Sequence, residues 1–211
     1  MFSELYLKTE NSEFLDVYIA ALPRGGADAS LIEHEGRREE LLLVKNERLF
    51  LEKFYSWRLL EKALGLRFAK TPSELGLAKN AIGAWTSPYA YVSISHSGGA
   101  LAVAVSSAPV GVDVEKVGAP RSEKFAERML NERELSLFCD TPDGMKSKML
   151  MRLWTMKEAL FKASGKERFV PRFTDTSSGA SSRVVLLGEE CFVVSYASSL
   201  PDKIGIRVTQ L

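Results

Sequence analysis

No apolar run in the 211 residues approaches the about 20 needed to cross a bilayer as a helix, so no membrane-spanning helix is expected. Cysteine is scarce. Cys139 and Cys191 lie far apart and outside any metal-ligand spacing, which argues against a disulfide scaffold or a thiolate metal site. An excess of one charge is also missing: 28 Lys and Arg stand against 27 Asp and Glu. A net charge of +1 leaves no broad electrostatic footprint for nucleic acid, and any basic patch must be local. The stretch from Met1 to Glu13 carries several acidic residues and no apolar core of a secretory leader. Together these absences predict a cytoplasmic protein with reduced thiols, without a nucleic-acid or membrane partner. The G-x-S-x-G nucleophile elbow is absent too, which counts against a serine hydrolase of that kind.

What is present is an ordinary globular composition, with 45% apolar and 26% charged residues. The length suffices for one large domain or two small lobes. Phe14 to Leu22 is an apolar run that predicts a buried strand, followed by a Pro- and Gly-containing turn over 23–27. Leu49, Phe50, Phe54, Trp57, Leu60 and Leu64 recur at helical spacing and predict one long helix from about Arg38 to Leu64, ending at Gly65. Thr71-Pro72-Ser73-Glu74 has the pattern of a capping box and predicts a new helix start.

From Tyr91 the period becomes two. Residues 91–95 and Leu101 to Val105 predict a hairpin turning at Gly98-Gly99, with Ser95-His96-Ser97 at the turn, and Val110 to Val114 is a further strand. Helical stretches are expected over Ser122 to Cys139 and Lys146 to Ser164. A long loop over Gly165 to Ser182 and strands over Arg183 to Leu187, Cys191 to Ala197 and Ile204 to Val208 follow. This order predicts an α+β fold of two lobes.

Three places carry residue types suited to chemistry. In Gly111-Val112-Asp113-Val114-Glu115, alternation puts Asp113 and Glu115 on one face, roughly 7 Å apart along the strand, with Val112 and Val114 turned to the core. Such a carboxylate pair can hold a hard divalent cation, or can simply be the wet face of a strand. On the helix from Trp154 to Lys162, Glu158 and Lys162 form an i,i+4 pair that a surface ion pair would explain equally well. Lys157 is odder, since helical spacing places it within the apolar arc between Leu153 and Phe161. Finally, Ser95-His96-Ser97-Gly98-Gly99 offers hydroxyls, an imidazole and glycine-flanked N–H groups to a phosphate, or is a plain polar turn.

In this order and spacing the three stretches resemble the surfactin-type phosphopantetheinyl transferases, within the holo-acyl-carrier-protein synthase superfamily. That family carries a Ser-His-Ser turn, a G-[VI]-D-[VIL]-E strand and a W-x-x-K-E-x-x-x-K helix; the resemblance is anchored from about Arg48 to Gly165. It implies a pseudo-dimer of two similar lobes, each a small antiparallel sheet packed with a long helix, here residues 1–108 and 109–211. Coenzyme A would lie in the cleft between them, in a monomer.

By the same resemblance Asp113, Glu115 and Glu158 look like ligands of Mg²⁺, with Mn²⁺ as an alternative, and Glu158 and Lys162 look like the catalytic pair. His96, with Ser95 beside it, looks like the contact to the ribose 3′-phosphate, and Lys162 the partner of the pyrophosphate. Arg48 would join the nucleotide grip, with Arg37 and Arg38 as further basic candidates. The family's Gly-Lys-Pro is replaced here by Leu77-Ala78-Lys79-Asn80, in which Lys79 keeps the lysine. The implied activity is transfer of 4′-phosphopantetheine from coenzyme A to a serine of an apo acyl, peptidyl or polyketide carrier protein, releasing 3′,5′-ADP. The competing readings are a metal-dependent phosphohydrolase using the same acids and a non-catalytic homologue that binds carrier proteins.

Overall fold

A computed structural model describes residues 13–118, 123–200 and 206–211. The chain forms nine strands, five α-helices and two short 3₁₀ turns among these residues, in an α+β arrangement. Strands β1 (Leu15–Ala21), β2 (Ala78–Lys79), β3 (Trp85–Thr86), β4 (Tyr91–Ser97), β5 (Ala100–Ser106) and β9 (Ile206–Val208) make one sheet in the order β2-β3-β4-β5-β1-β9. Strands β6 (Val110–Lys116), β7 (Ala180–Leu187) and β8 (Glu190–Ser198) make a second, antiparallel, in the order β6-β8-β7. The helices are α1 (Glu35–Leu42), α2 (Glu47–Phe68), α3 (Glu123–Met129), α4 (Glu132–Cys139) and α5 (Asp143–Ser164). No helix among the described residues is long and apolar enough to cross a membrane.

The apolar periodicities account for the layering. Phe54, Trp57, Leu60 and Leu64 of α2 pack on Tyr18, Leu101, Val103 and Val105, one face of the larger sheet. Leu15, Val17, Ile19, Ala100, Ala102 and Ala104, on its other face, meet Val112, Val114, Phe192 and Val194 of the smaller sheet. Helices α3 to α5 bury Met129, Leu130, Phe138, Leu150 and Leu153 with Val193 on that sheet's outer side. The order is therefore helix, sheet, sheet, helices, and β1 and β5 are apolar on both faces because both faces are covered.

Several sequence boundaries move, each for a local reason. The single helix expected over 38–64 is broken, because Asn46 caps a new start by accepting from the Leu49 N–H at 2.8 Å. Helix α2 then runs through Gly65 and ends at Ala69, whose φ of 52° is left-handed. The Thr71–Glu74 capping contacts form, with the Thr71 N–H 2.7 Å from Glu74 Oε2, yet only a turn follows, and Gly76 at φ 60° reverses the chain. The helix expected to Cys139 divides at Asn131, where a capping box with Glu134 begins α4, and its predicted start at Ser122 lies outside the described residues. Ser95-His96-Ser97 lies within β4 rather than at the turn, which Gly98 and Gly99 make with positive φ. Of the last expected strand, 204 and 205 are outside the described residues. Residues 206–208 pair in parallel with β1, in the sheet of the N-terminal half.

Two features hold α5 in place. At Gly111 the helix backbone comes so close that a Cβ there would stand 1.9 Å from the carbonyl oxygen of Ala159. Lys157 is fully buried and pairs with Glu134 Oε2 at 2.6 Å, while donating to the carbonyls of Pro171 (2.8 Å) and Thr174. Glu134 also accepts from the Thr176 hydroxyl at 2.8 Å. The lysine that looked misplaced on the helical wheel thus ties the segment after α5 back onto α4 and α5.

Gly111→Ala is expected to lose about 1–3 kcal/mol of stability through overpacking, read from urea unfolding. Wild-type stability in that variant would contradict the close approach. Lys157→Met should destabilise by about 3–5 kcal/mol, because Glu134 is left charged and buried. Adding Glu134→Gln should restore part of that loss in the same measurement, and an additive further loss would show that the pair is not coupled.

Candidate active site

The site is built around β6, an edge strand of the smaller sheet. Its outward N–H groups at Val112 and Val114 are taken by the hydroxyls of Ser93 (3.0 Å) and Ser95 (3.4 Å) from β4, which satisfies an otherwise open edge. The same face of β4 reaches the acids. Ser95 Oγ donates to Asp113 Oδ1 at 2.7 Å, and Ser97 Oγ donates to Glu115 Oε2 at 2.6 Å. Ser95 is buried and fully engaged in this contact between sheets. Its neighbour His96, on the other face of β4, turns toward α2.

The close packing at Gly111 sets the last turns of α5 beside these acids. Lys162 Nζ lies 2.7 Å from Asp113 Oδ1, 3.1 Å from the Val112 carbonyl oxygen and 3.9 Å from Glu158 Oε2. The i,i+4 pair is therefore not a solvated surface bridge, since Lys162 is shared between strand and helix acids. Burial first, and then the negative charge of Asp113, push the Glu158 carboxyl above its ordinary value; Lys162 opposes this and Glu115 adds to it.

Asp113, Glu115, Glu158 and Lys162 line one side of a cleft of about 380 Å³. His96, Arg37 and Lys53 line the same cleft. His96 Nδ1 is 3.2 Å from Glu52 Oε2. Burial lowers the pKa of His96, with Glu52 raising it and Arg37 and Lys53 lowering it further. Trp85, Ile94 and Lys162 also line a neighbouring groove of about 410 Å³, together with Ile82, Val110, Phe161, Lys166 and Glu167.

Of the residues singled out from sequence, Ser95, His96, Asp113, Glu115, Glu158 and Lys162 come together at this cleft. Arg48 and Lys79 do not line it. Arg48 is largely exposed and pairs with Glu52 at 3.3 Å, which places it one residue behind His96. Lys79 pairs with Glu40 at 3.0 Å and stands over the Trp85 ring. Lys53, which the sequence reading did not single out, lines the cleft, as does Arg37, named there together with Arg38. A signal for Lys53 existed: it falls between Leu49 and Trp57 at i,i+4 spacing, within the apolar arc of α2, as Lys157 does on α5.

Among the described residues no three His, Cys, Asp or Glu side chains are already gathered tightly enough to hold a metal ion. The donor set nonetheless suits a hard divalent cation, being all carboxylate oxygen. Asp113 Oδ2 is buried and has no hydrogen-bond partner, and such an orphaned acceptor beside two further acids is satisfied by an added positive charge.

Residues 109–197 match the model of the 4′-phosphopantetheinyl transferase superfamily. The chain is 37% identical over 84 residues to the 4′-phosphopantetheinyl transferase ffp of Bacillus subtilis, covering 40% of this chain and 37% of that protein. It is 34% identical over 84 residues to the 4′-phosphopantetheinyl transferase Sfp of Bacillus subtilis (strain 168), with the same coverage. To the 4′-phosphopantetheinyl transferase gsp of Aneurinibacillus migulanus it is 32% identical over 81 residues, 38% of this chain and 34% of that one. The matched stretch thus spans little more than a third of these relatives' length. Residues 109–197, matched by the family model, hold the two strand acids, the helix acid and Lys162. Over residues 109–197, less than half of its length, the chain is similar to the 4′-phosphopantetheinyl transferase superfamily.

Proposed function

We propose that the protein transfers the 4′-phosphopantetheine of coenzyme A to a serine hydroxyl of an apo carrier protein, releasing 3′,5′-ADP. The observation that carries this reading is one cleft with acids and Lys162 on one side and His96, Arg37 and Lys53 on the other. A donor with a pyrophosphate and a separate phosphorylated nucleotide needs both. In this reading the basic side and His96 take the nucleotide with its 3′-phosphate, and the neighbouring groove, with Ile82, Val110 and Phe161 in its lining, suits the uncharged pantetheine arm. The two 22-residue helices α2 and α5, each packed on its own sheet, support a pseudo-dimeric plan with lobes at 1–108 and 109–211, to which the return of β9 is an exception. The protein would act as a monomer in the cytoplasm on an acyl, peptidyl or polyketide carrier.

Asp113, Glu115 and Glu158 would hold Mg²⁺ or Mn²⁺, whose contribution there is to neutralise charge on the donor's pyrophosphate. Lys162 brings a further positive charge to the same place. The serine oxygen forms its bond to the β-phosphorus while the bond from that phosphorus to the bridging oxygen breaks, leaving the electron pair on 3′,5′-ADP. Glu158, facing the cleft, accepts the serine proton directly or through a water. Ser95 and Ser97 orient Asp113 and Glu115 throughout.

Intact-mass measurement of several apo carrier proteins after incubation with the protein, coenzyme A and Mg²⁺ should show addition of phosphopantetheine. Release of phosphate or nucleotide to water, with no mass added to any carrier, would favour a phosphohydrolase instead. Asp113→Ala and Glu158→Ala should each abolish transfer in a folded protein, and full activity in both would refute the site. His96→Ala should weaken binding of coenzyme A more than that of 3′-dephospho-coenzyme A. An equal loss with both donors would remove the 3′-phosphate role.

A further inference from the structure

Two basic residues of the cleft, Arg37 and Lys53, are paired with an anion that does not itself line it. Glu40, on α1, is shared by three cations from three elements: Arg37 Nη1 at 2.9 Å from α1, Lys79 Nζ at 3.0 Å from β2 and Lys53 Nζ at 2.8 Å from α2. Burial works to raise its pKa, but Lys53, Arg37 and Lys79 together bring the carboxyl down to about 2, so it is ionised throughout the neutral range. Arg37 and Lys53 are the cations that line the cleft beside His96, and both spend charge on Glu40. A second carboxylate, Glu52, stands against His96 itself.

Resting on the reading that this side receives the nucleotide of coenzyme A, we propose that Glu40 is a specificity-determining counter-anion. It occupies cations that a 3′-phosphate would otherwise take up, and the protein therefore accepts 3′-dephospho-coenzyme A nearly as well as coenzyme A. A phosphomonoester dianion entering beside His96 must either displace Glu40 from a cation or bind in the field of its charge. A donor ending in a 3′-hydroxyl meets neither obstacle. Glutamine at this position keeps the size and an acceptor oxygen but removes the charge, which frees Arg37 and Lys53, its two partners that line the cleft, for the phosphate.

The test is calorimetric titration of wild type and Glu40→Gln with each of the two donors, which needs no carrier protein. In wild type the preference for coenzyme A is expected to be below about tenfold, and Glu40→Gln should raise it by roughly tenfold, as removal of one unit charge in direct contact with Arg37 and Lys53 would. The change should come from tighter coenzyme A, with 3′-dephospho-coenzyme A unaffected; a merely structural role would weaken both donors together. If Glu40→Gln does not fold, Glu40→Asp, which withdraws the charge by one methylene, should move the ratio the same way by less. A wild-type preference above about a hundredfold, or a ratio unchanged or lowered in the variant, overturns the inference while leaving the transferase reading intact. Failure of both donors to bind wild type overturns the two together.

Discussion

Three serine hydroxyls of β4 hold the two sheets at the one place where the chemistry would sit. An edge strand presents N–H groups that need partners, and β6 finds them in Ser93 and Ser95 instead of another strand. Because the same row of serines continues to Asp113 and Glu115, satisfying the edge and orienting the acids are a single arrangement. Gly111 completes it from the opposite side, since only a residue without a side chain allows α5 to lie against the strand. Glu158 and Lys162 reach the acids as a consequence of that approach.

The cleft is consequently divided by charge. Carboxylates from β6 and α5 share Lys162, while Arg37, Lys53 and Lys79 gather round Glu40 near His96. Each side carries its own counter-charge, which lets like charges approach without opening the fold. Lys157 and Glu134 play no part in the cleft, yet their fully buried pair fixes the segment following α5 and with it the end of the helix that carries Glu158 and Lys162. Neighbouring residues of one motif therefore divide between holding the helix and lining the site.

Much of the site was legible because its residues lie in short, regular segments. Alternation alone put Asp113 and Glu115 on one face, and the motif order joined them to Glu158, Lys162 and His96, all of which meet at the cleft. Arg48 shows what such a reading cannot see: the turn of α2 directs it outward to Glu52, and Lys53 lines the cleft. The helices were found by period and misjudged at their ends, since caps such as Asn46 and Asn131 interrupt a pattern whose apolar positions continue across the break.

By itself the sequence determined the local part: where strands alternate, where helices bury a stripe, and which acids share a face, because these depend on neighbours within a few residues. Only the tertiary structure decided that Ser95 bridges two sheets, that Lys157 is a buried anchor and that Glu40 collects three cations. Those contacts join residues far apart in the chain, and hydrogen bonds and charges reach across space without leaving any periodicity in the sequence.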